Sequence, residues 1–135
     1  MNLFVIADRF GVAAESYDHL SVDLDALHYV NADEPVEIEL RFQNDSPSTI
    51  QVRAIEFTMT ANGVRVGGDD SRLDVEIDPE SHQTLNLEGR ITDRNVMERA
   101  EEPDGNSWLI LGRMLIQVDG DLEPTWISIG FRTES

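Results

Sequence analysis

Val36-Glu37-Ile38-Glu39-Leu40-Arg41-Phe42-Gln43 sets apolar and polar side chains strictly in turn. In an extended chain successive side chains point to opposite faces, so this stretch has one dry face and one wet one. The same period runs outward from it. Val22 and Leu24 alternate with Asp23 and Asp25 on the preceding segment. Leu73, Val75 and Ile77 alternate with Asp74, Glu76 and Asp78, and Leu85, Leu87 and Ile91 share a phase opposite Asn86, Glu88 and Arg90. A period of two over most of the chain predicts antiparallel sheets with one face toward water.

Two segments depart from that period. Ile50, Val52 and Ala54 share one phase, but Ile55, Phe57 and Met59 take the other, which predicts a β-bulge near Ala54 or a strand that changes sheets. From Trp108 to Val118 both phases are apolar, with Leu109, Leu111 and Leu115 opposite Ile110, Met114 and Ile116. That pattern predicts a central strand covered on both sides along part of its length. Asn62-Gly63 between apolar segments is a strong hairpin signal, because a type I′ turn needs positive φ at both central positions. Asp33-Glu34-Pro35, Asn44-Asp45-Ser46-Pro47, Asp78-Pro79-Glu80-Ser81 and Asp119-Gly120-Asp121 mark further turns. Helical spacing occurs only near residues 92–102, where Thr92 or Asp93 can cap, Val96, Met97 and Ala100 face a core, and Pro103-Asp104-Gly105 stops the helix. Short strands and turns at this spacing predict an all-β chain, a β-sandwich with Greek-key connections and one short helix.

Composition narrows what such a domain does. The 135 residues carry 27 Asp and Glu against ten basic residues, every one an Arg, for a net charge of -17. Self-repulsion of that size opposes compaction, and salt relieves it, since the Debye length falls from about 8 Å at physiological salt to about 3 Å at 1 M. The expected setting is the salt-rich cytoplasm of a halophilic archaeon. Scattered Arg make no basic face, which argues against nucleic acid and against anionic membranes. Without Cys there is no disulfide, thiolate metal site or cysteine nucleophile. Residues 1–19 read as an N-terminal extension or extra edge strand ahead of the domain at 20–135. The apolar run Leu3-Phe4-Val5-Ile6 is too short for a signal peptide or a membrane span, and is expected to be an edge strand or the stub of a longer segment.

From about Leu20 to Arg132 the order of features resembles the water-stress and hypersensitive-response (WHy) domain, the folded, type-2 class of late-embryogenesis-abundant protein. In that family a strand of alternating residues leads into an Asn-Pro-Asn loop, a long strand, an Asn-Gly-Val hairpin and a glycine. The corresponding residues here are Asn44 with Pro47, then Asn62-Gly63-Val64, then Gly67-Gly68, followed by a proline turn at Pro79. The loop departs from the family pattern in that Pro47 stands on its far side. The resemblance implies an immunoglobulin- or fibronectin-like antiparallel β-sandwich of about 7–8 strands. It also implies a role in protecting cells during water stress.

Chemistry of other kinds finds little support. No Gly-x-Ser-x-Gly elbow is present, and Gly105-Asn106-Ser107 lacks the closing glycine. His19, His28 and His82 stand apart, as surface or strand-end residues do. Glycines from Gly63 to Gly68 come without a Lys, so they form no phosphate loop. Carboxylate pairs are too many for any one to be informative, and most fall on the wet phase of strands. Weak cation candidates are Asp69-Asp70 and Asp119-Gly120-Asp121 with Glu123, hard oxygens on loops that Ca²⁺ or Mg²⁺ would accept. Asn44-Asp45-Ser46 also spells an N-glycosylation sequon, better explained as a turn. Trp108 and Trp126 are expected in the core. Together these readings predict a monomeric, non-enzymatic protein without cofactor. It would protect client proteins under desiccation or osmotic stress through a hydrated acidic surface that includes Asp23, Asp25, Asp74 and Glu76. The alternative is a protein-binding or adaptor module, part of a larger or membrane-anchored protein.

Overall fold

The structure, a computed structural model, describes residues 2–8, 20–103, 105–119 and 123–134. In chain order the elements are β1 (Asn2–Asp8), β2 (Leu20–His28), β3 (Val36–Asn44), β4 (Ile50–Ala61), β5 (Val64–Ile77), β6 (Ser81–Ile91), α1 (Arg94–Ala100), β7 (Trp108–Val118) and β8 (Thr125–Glu134). All pairings are antiparallel, in the order β1-β8-β7-β4-β5-β6-β3-β2. The ladder folds over on itself. β1, β8, β7, β4 and β5 make a larger layer; β6, β3 and β2 make a smaller one. The all-β sandwich with one short helix is therefore as expected.

Alternation decides what lies between the layers. Val36, Ile38, Leu40 and Phe42 of β3 are buried, and so are Val22 and Leu24 of β2. From the larger layer Ile55, Phe57, Met59, Ile110, Met114, Ile116, Ile127, Ile129 and Phe131 meet them. Each such side chain contributes roughly 1.5–3 kcal/mol by leaving water. The phase change in β4 is a bulge: pairing with both β5 and β7 shifts register between Val52 and Ala54. Arg53 is the residue without a register partner there, so Ile50 and Val52 reach the core together with Ile55, Phe57 and Met59, while Ala54 falls on the outer face.

The layers join at one seam. β6 pairs with β3 as far as Gly89, then its last residues cross to β5, where Gly67 pairs Ile91 and Gly68 pairs Arg90. A Cβ on Gly67 would lie 1.8 Å from the carbonyl oxygen of Arg90, and one on Gly68 2.2 Å from that of Phe57. Three backbones meet at this point in a space that admits no side chain. The β4–β5 hairpin turns on Asn62 (φ 51°) and Gly63 (φ 84°), the two left-handed residues of the expected turn.

Three expectations need correction. The helix runs over Arg94–Ala100 rather than 92–102, because Asp93 caps it by accepting from Asn95 N and Val96 N, and Glu101 is already extended. β7 is central, but its outer face stays open: Leu111 is 45% exposed. Trp126 lies on that same outer face and is only half-buried, whereas Trp108 is in the core. Asn2–Asp8 runs along the outer edge of β8; residues 9–19 of the expected extension lie outside the described residues.

Two of the unpaired edges are charged. β5 beyond the seam carries Asp70, Asp74 and Glu76, all exposed, and β2 carries Asp23 and Asp25 with a register shift between Leu24 and Ala26. Such features discourage edge-to-edge pairing. We expect Gly67→Ala to cost about 4 kcal/mol or more, in the range of backbone clashes that cannot relax. Gly63→Ala, strained in φ but with free space around it, should cost about 1 kcal/mol. Urea unfolding of the two variants checks the order.

Candidate functional site

The residues singled out by motif are structural pins at the two ends of β4. Asn44 is fully buried where β3 ends. Its amide nitrogen donates to the carbonyls of Ser48 (2.7 Å), Ile77 (3.0 Å) and Asp78 (3.2 Å), so two hydrogens serve three acceptors. Its carbonyl accepts from Ser46 N (3.0 Å) and Ser46 Oγ (2.6 Å). One side chain thereby ties the β3–β4 loop to the β5–β6 turn. Pro47 is exposed on that loop. Pro79 opens the turn, in which Glu80 takes φ 54° and Ser81 Oγ donates to Asp78 O at 2.7 Å. With both ends of its amide occupied in the interior, Asn44 is closed to glycosylation in the folded chain.

Asn62 does the same at the far end. Its amide donates to Ala100 O (2.7 Å) and Asn106 Oδ1 (2.8 Å), and its carbonyl accepts from Ser107 N (2.9 Å). The hairpin is thus fastened to the end of α1 and to the start of β7. Nearby, the rings of Tyr29 and Trp108 lie 5.4 Å apart, and the Tyr29 hydroxyl donates to the Glu101 carboxylate. Partial burial, then that hydrogen bond and the Glu101 charge, push the Tyr29 phenol above its usual value, with Glu98 and Asp33 adding to the shift.

The cation candidates do not converge. Asp69 and Asp70 are consecutive on β5 and so project to opposite faces; Asp69 lies 3.9 Å from the Arg90 guanidinium. Asp119 is exposed after β7, and Asp121 lies outside the described residues. Among the described residues no three His, Asp or Glu gather as a metal site. His28 and His82 are exposed, and His19 is outside the described residues.

The outer faces of the two layers differ sharply. That of the smaller layer presents Asp23, Glu37, Glu39 and Glu88, with Arg41, Thr84 and Asn86 between them. Across the larger layer, register places Trp126, Leu115, Ala54 and Arg72 in one row, and Ser128, Arg113, Glu56 and Asp70 in the next. Arg113 donates to Glu56 at 2.7 Å and lies 4.1 Å from the centre of the Trp126 ring, a cation–π contact. An open groove of about 520 Å³ runs here, bordered by Trp126, Leu115, Leu73, Arg72 and Arg53. Arg53 also borders a second groove, of about 360 Å³, with Gln51, Gln117, Glu76 and Asp119. This face was not anticipated from sequence. The signal was present: Ile127, Ile129 and Phe131 share one phase of β8, so Trp126 must occupy the other.

No family model matches the chain, and no curated protein matches it in sequence. Solved structures do share its fold. A crystal structure of a protein from Archaeoglobus fulgidus is 19% identical, with a TM-score of 0.51 over 86% of this chain and 96% of that one. A solution structure of a protein assigned to the late embryogenesis abundant (LEA) class is 9% identical, with a TM-score of 0.56 over 91% of this chain and 74% of the other. At such identities the likeness is one of fold alone.

Two measurements test these contacts. Asn44→Ala should lower unfolding free energy by about 3 kcal/mol, since it leaves buried carbonyls and Ser46 unpaired. Asn44→Asp, nearly the same shape, should be no milder, because a carboxylate would face three carbonyl oxygens. For Tyr29 the folded phenol titrates above the unfolded one, which loses its proton near pH 10. Between those two values the native state holds a proton the unfolded state has lost, so stability falls as pH rises through that window and is flat in this group below it. Tyr29→Phe should lose Tm less steeply than the wild type above about pH 10.

Proposed function

We propose that this chain is a non-enzymatic protectant in desiccation or osmotic stress, acting on client proteins as a monomer in a high-salt, halophilic archaeal cytoplasm. The observation that carries this reading is the combination of an LEA-type fold with an outer face of hydrated carboxylates on the smaller layer. Carboxylates close to the backbone hold water and cations tightly, and like charge keeps coated molecules apart. A face of Asp23, Glu37, Glu39 and Glu88 can therefore hold water between clients while they are crowded together. No step of this action needs a cofactor, a metal or a reacting group.

A second reading, a protein-binding or adaptor sandwich, draws on the larger layer, where Trp126 and Leu111 are accessible. Sandwich domains present faces and edges to partners. Recovery of a labile enzyme after drying in multimolar KCl tests the first reading. Recovery well above that given by an unrelated domain of equal charge is expected. Equal recovery with both would remove the protectant reading and leave the adaptor.

A further inference from the structure

We propose that Asn62-Gly63 is a latent deamidation site, protected while α1 is docked and converted irreversibly once α1 detaches, so that the hairpin keeps a covalent record of that opening. The β4–β5 turn demands left-handed backbone at both positions, and Asn followed by Gly meets the demand (φ 51° and 84°). The same pair is the one most prone to cyclise, because glycine sets no side chain beside its own nitrogen. It is the only Asn-Gly in the chain. Gly63 is exposed, with nothing within 4 Å of where a Cβ would stand. Crowding therefore does not protect the site; the hold on the carboxamide does.

Deamidation begins when the Gly63 nitrogen attacks Asn62 Cγ. A bond forms between them and the Cγ–Nδ2 bond breaks. The amide nitrogen leaves as ammonia, with its own two hydrogens and the proton that the Gly63 nitrogen gives up. Water then opens the cyclic imide at either carbonyl, leaving aspartate or isoaspartate, and no oxidant or reductant takes part. Attack makes Cγ tetrahedral, so the planar amide is lost at the first step. In the folded chain that plane is pinned at every polar atom. Its two hydrogens go to Ala100 O (2.7 Å) and Asn106 Oδ1 (2.8 Å), and its oxygen accepts from Ser107 N (2.9 Å). Each bond weighs roughly a factor of five in an equilibrium, so the three hold conversion back on the order of a hundredfold.

The hold depends on α1. Ala100 is its last residue, and Asn106 also accepts from Glu102 N just beyond it (3.0 Å). A helix of seven residues does not persist by itself, and this one is anchored by two buried side chains, Met97 and Ala100. Such an element opens without the sheets unfolding. Conversion then prevents its return. A carboxylate at position 62 has no hydrogen for Ala100 O or Asn106 Oδ1 and faces both as oxygen against oxygen. Isoaspartate also lengthens the backbone of the turn by a carbon.

The test follows the full chain by peptide mass mapping during warm incubation in multimolar KCl at mildly alkaline pH, reading the replacement of the Asn62 amide by a hydroxyl. A blocked Ala-Asn-Gly-Val peptide gives the unprotected rate. The folded chain should convert on the order of a hundred times more slowly, and in urea it should approach the peptide. Asn106→Ala should speed conversion about fivefold, whereas Asn106→Asp, which keeps an acceptor for both donors, should not. Met97→Ala, which loosens α1 without touching the amide, should speed it as well. Spectral dispersion reports whether each variant is folded, and Met97→Ala decides alone if Asn106→Ala unfolds. Asn62→Asp should show rapid hydrogen exchange in α1 with the sheets still protected. Conversion of the folded chain at the peptide rate, unchanged rates in the folded loosened variants, or wild-type protection of α1 in Asn62→Asp would each overturn the proposal.

Discussion

The sandwich depends on one close approach of backbones. Where β6 leaves β3 and crosses to β5, the carbonyl of Arg90 occupies the volume a side chain at Gly67 would need. β5 is at the same point hydrogen-bonded to β4, so the seam fixes the separation and angle of the layers together. Everything buried between them inherits that geometry. Phe42 and Leu40 of one layer and Ile55 and Met59 of the other belong to the single core that this turn of the ladder encloses.

The loops are fastened by amides rather than by apolar contacts. Asn44 and Asn62 stand at opposite ends of the neighbourhood of β4, and each binds segments far apart in sequence. A buried amide that meets all its partners is a demanding choice, because any displacement leaves several groups unpaired at once. Its value is a single arrangement of the loops. The two outer faces differ: the smaller layer presents mainly carboxylates, and the larger one Trp126 and leucines among arginines and the carboxylates of Glu56 and Asp70.

How much of this was legible varies with the range of the contact involved. The four buried positions of β3, the bulge near Ala54 and the Asn62-Gly63 turn follow from periodicity and local backbone preference, which a sequence displays directly. Trp126 was misplaced by weighing its hydrophobicity above its phase, although Ile127, Ile129 and Phe131 already assigned the inner side of β8. Leu111 was misjudged for a related reason: two apolar phases in β7 do not require two covers. Asn44 could be singled out through the resemblance, but its role could not, since its partners are backbone carbonyls of Ile77 and Asp78 that carry no residue signature. The pairing of Arg53 with Gln117 joins positions in different strands and needed the register itself.

The charged margins of β2 and β5 have a consequence for matter near dryness. As solvent is withdrawn, molecules are forced side by side, and a long, uncharged strand edge is then a template for pairing with another chain. Adding a strand to β5 would require Asp70, Asp74 and Glu76 to shed their hydration, and the kink at Asp25 keeps β2 from offering a straight template. Neither margin therefore offers a neighbouring molecule a straight, uncharged strand to extend.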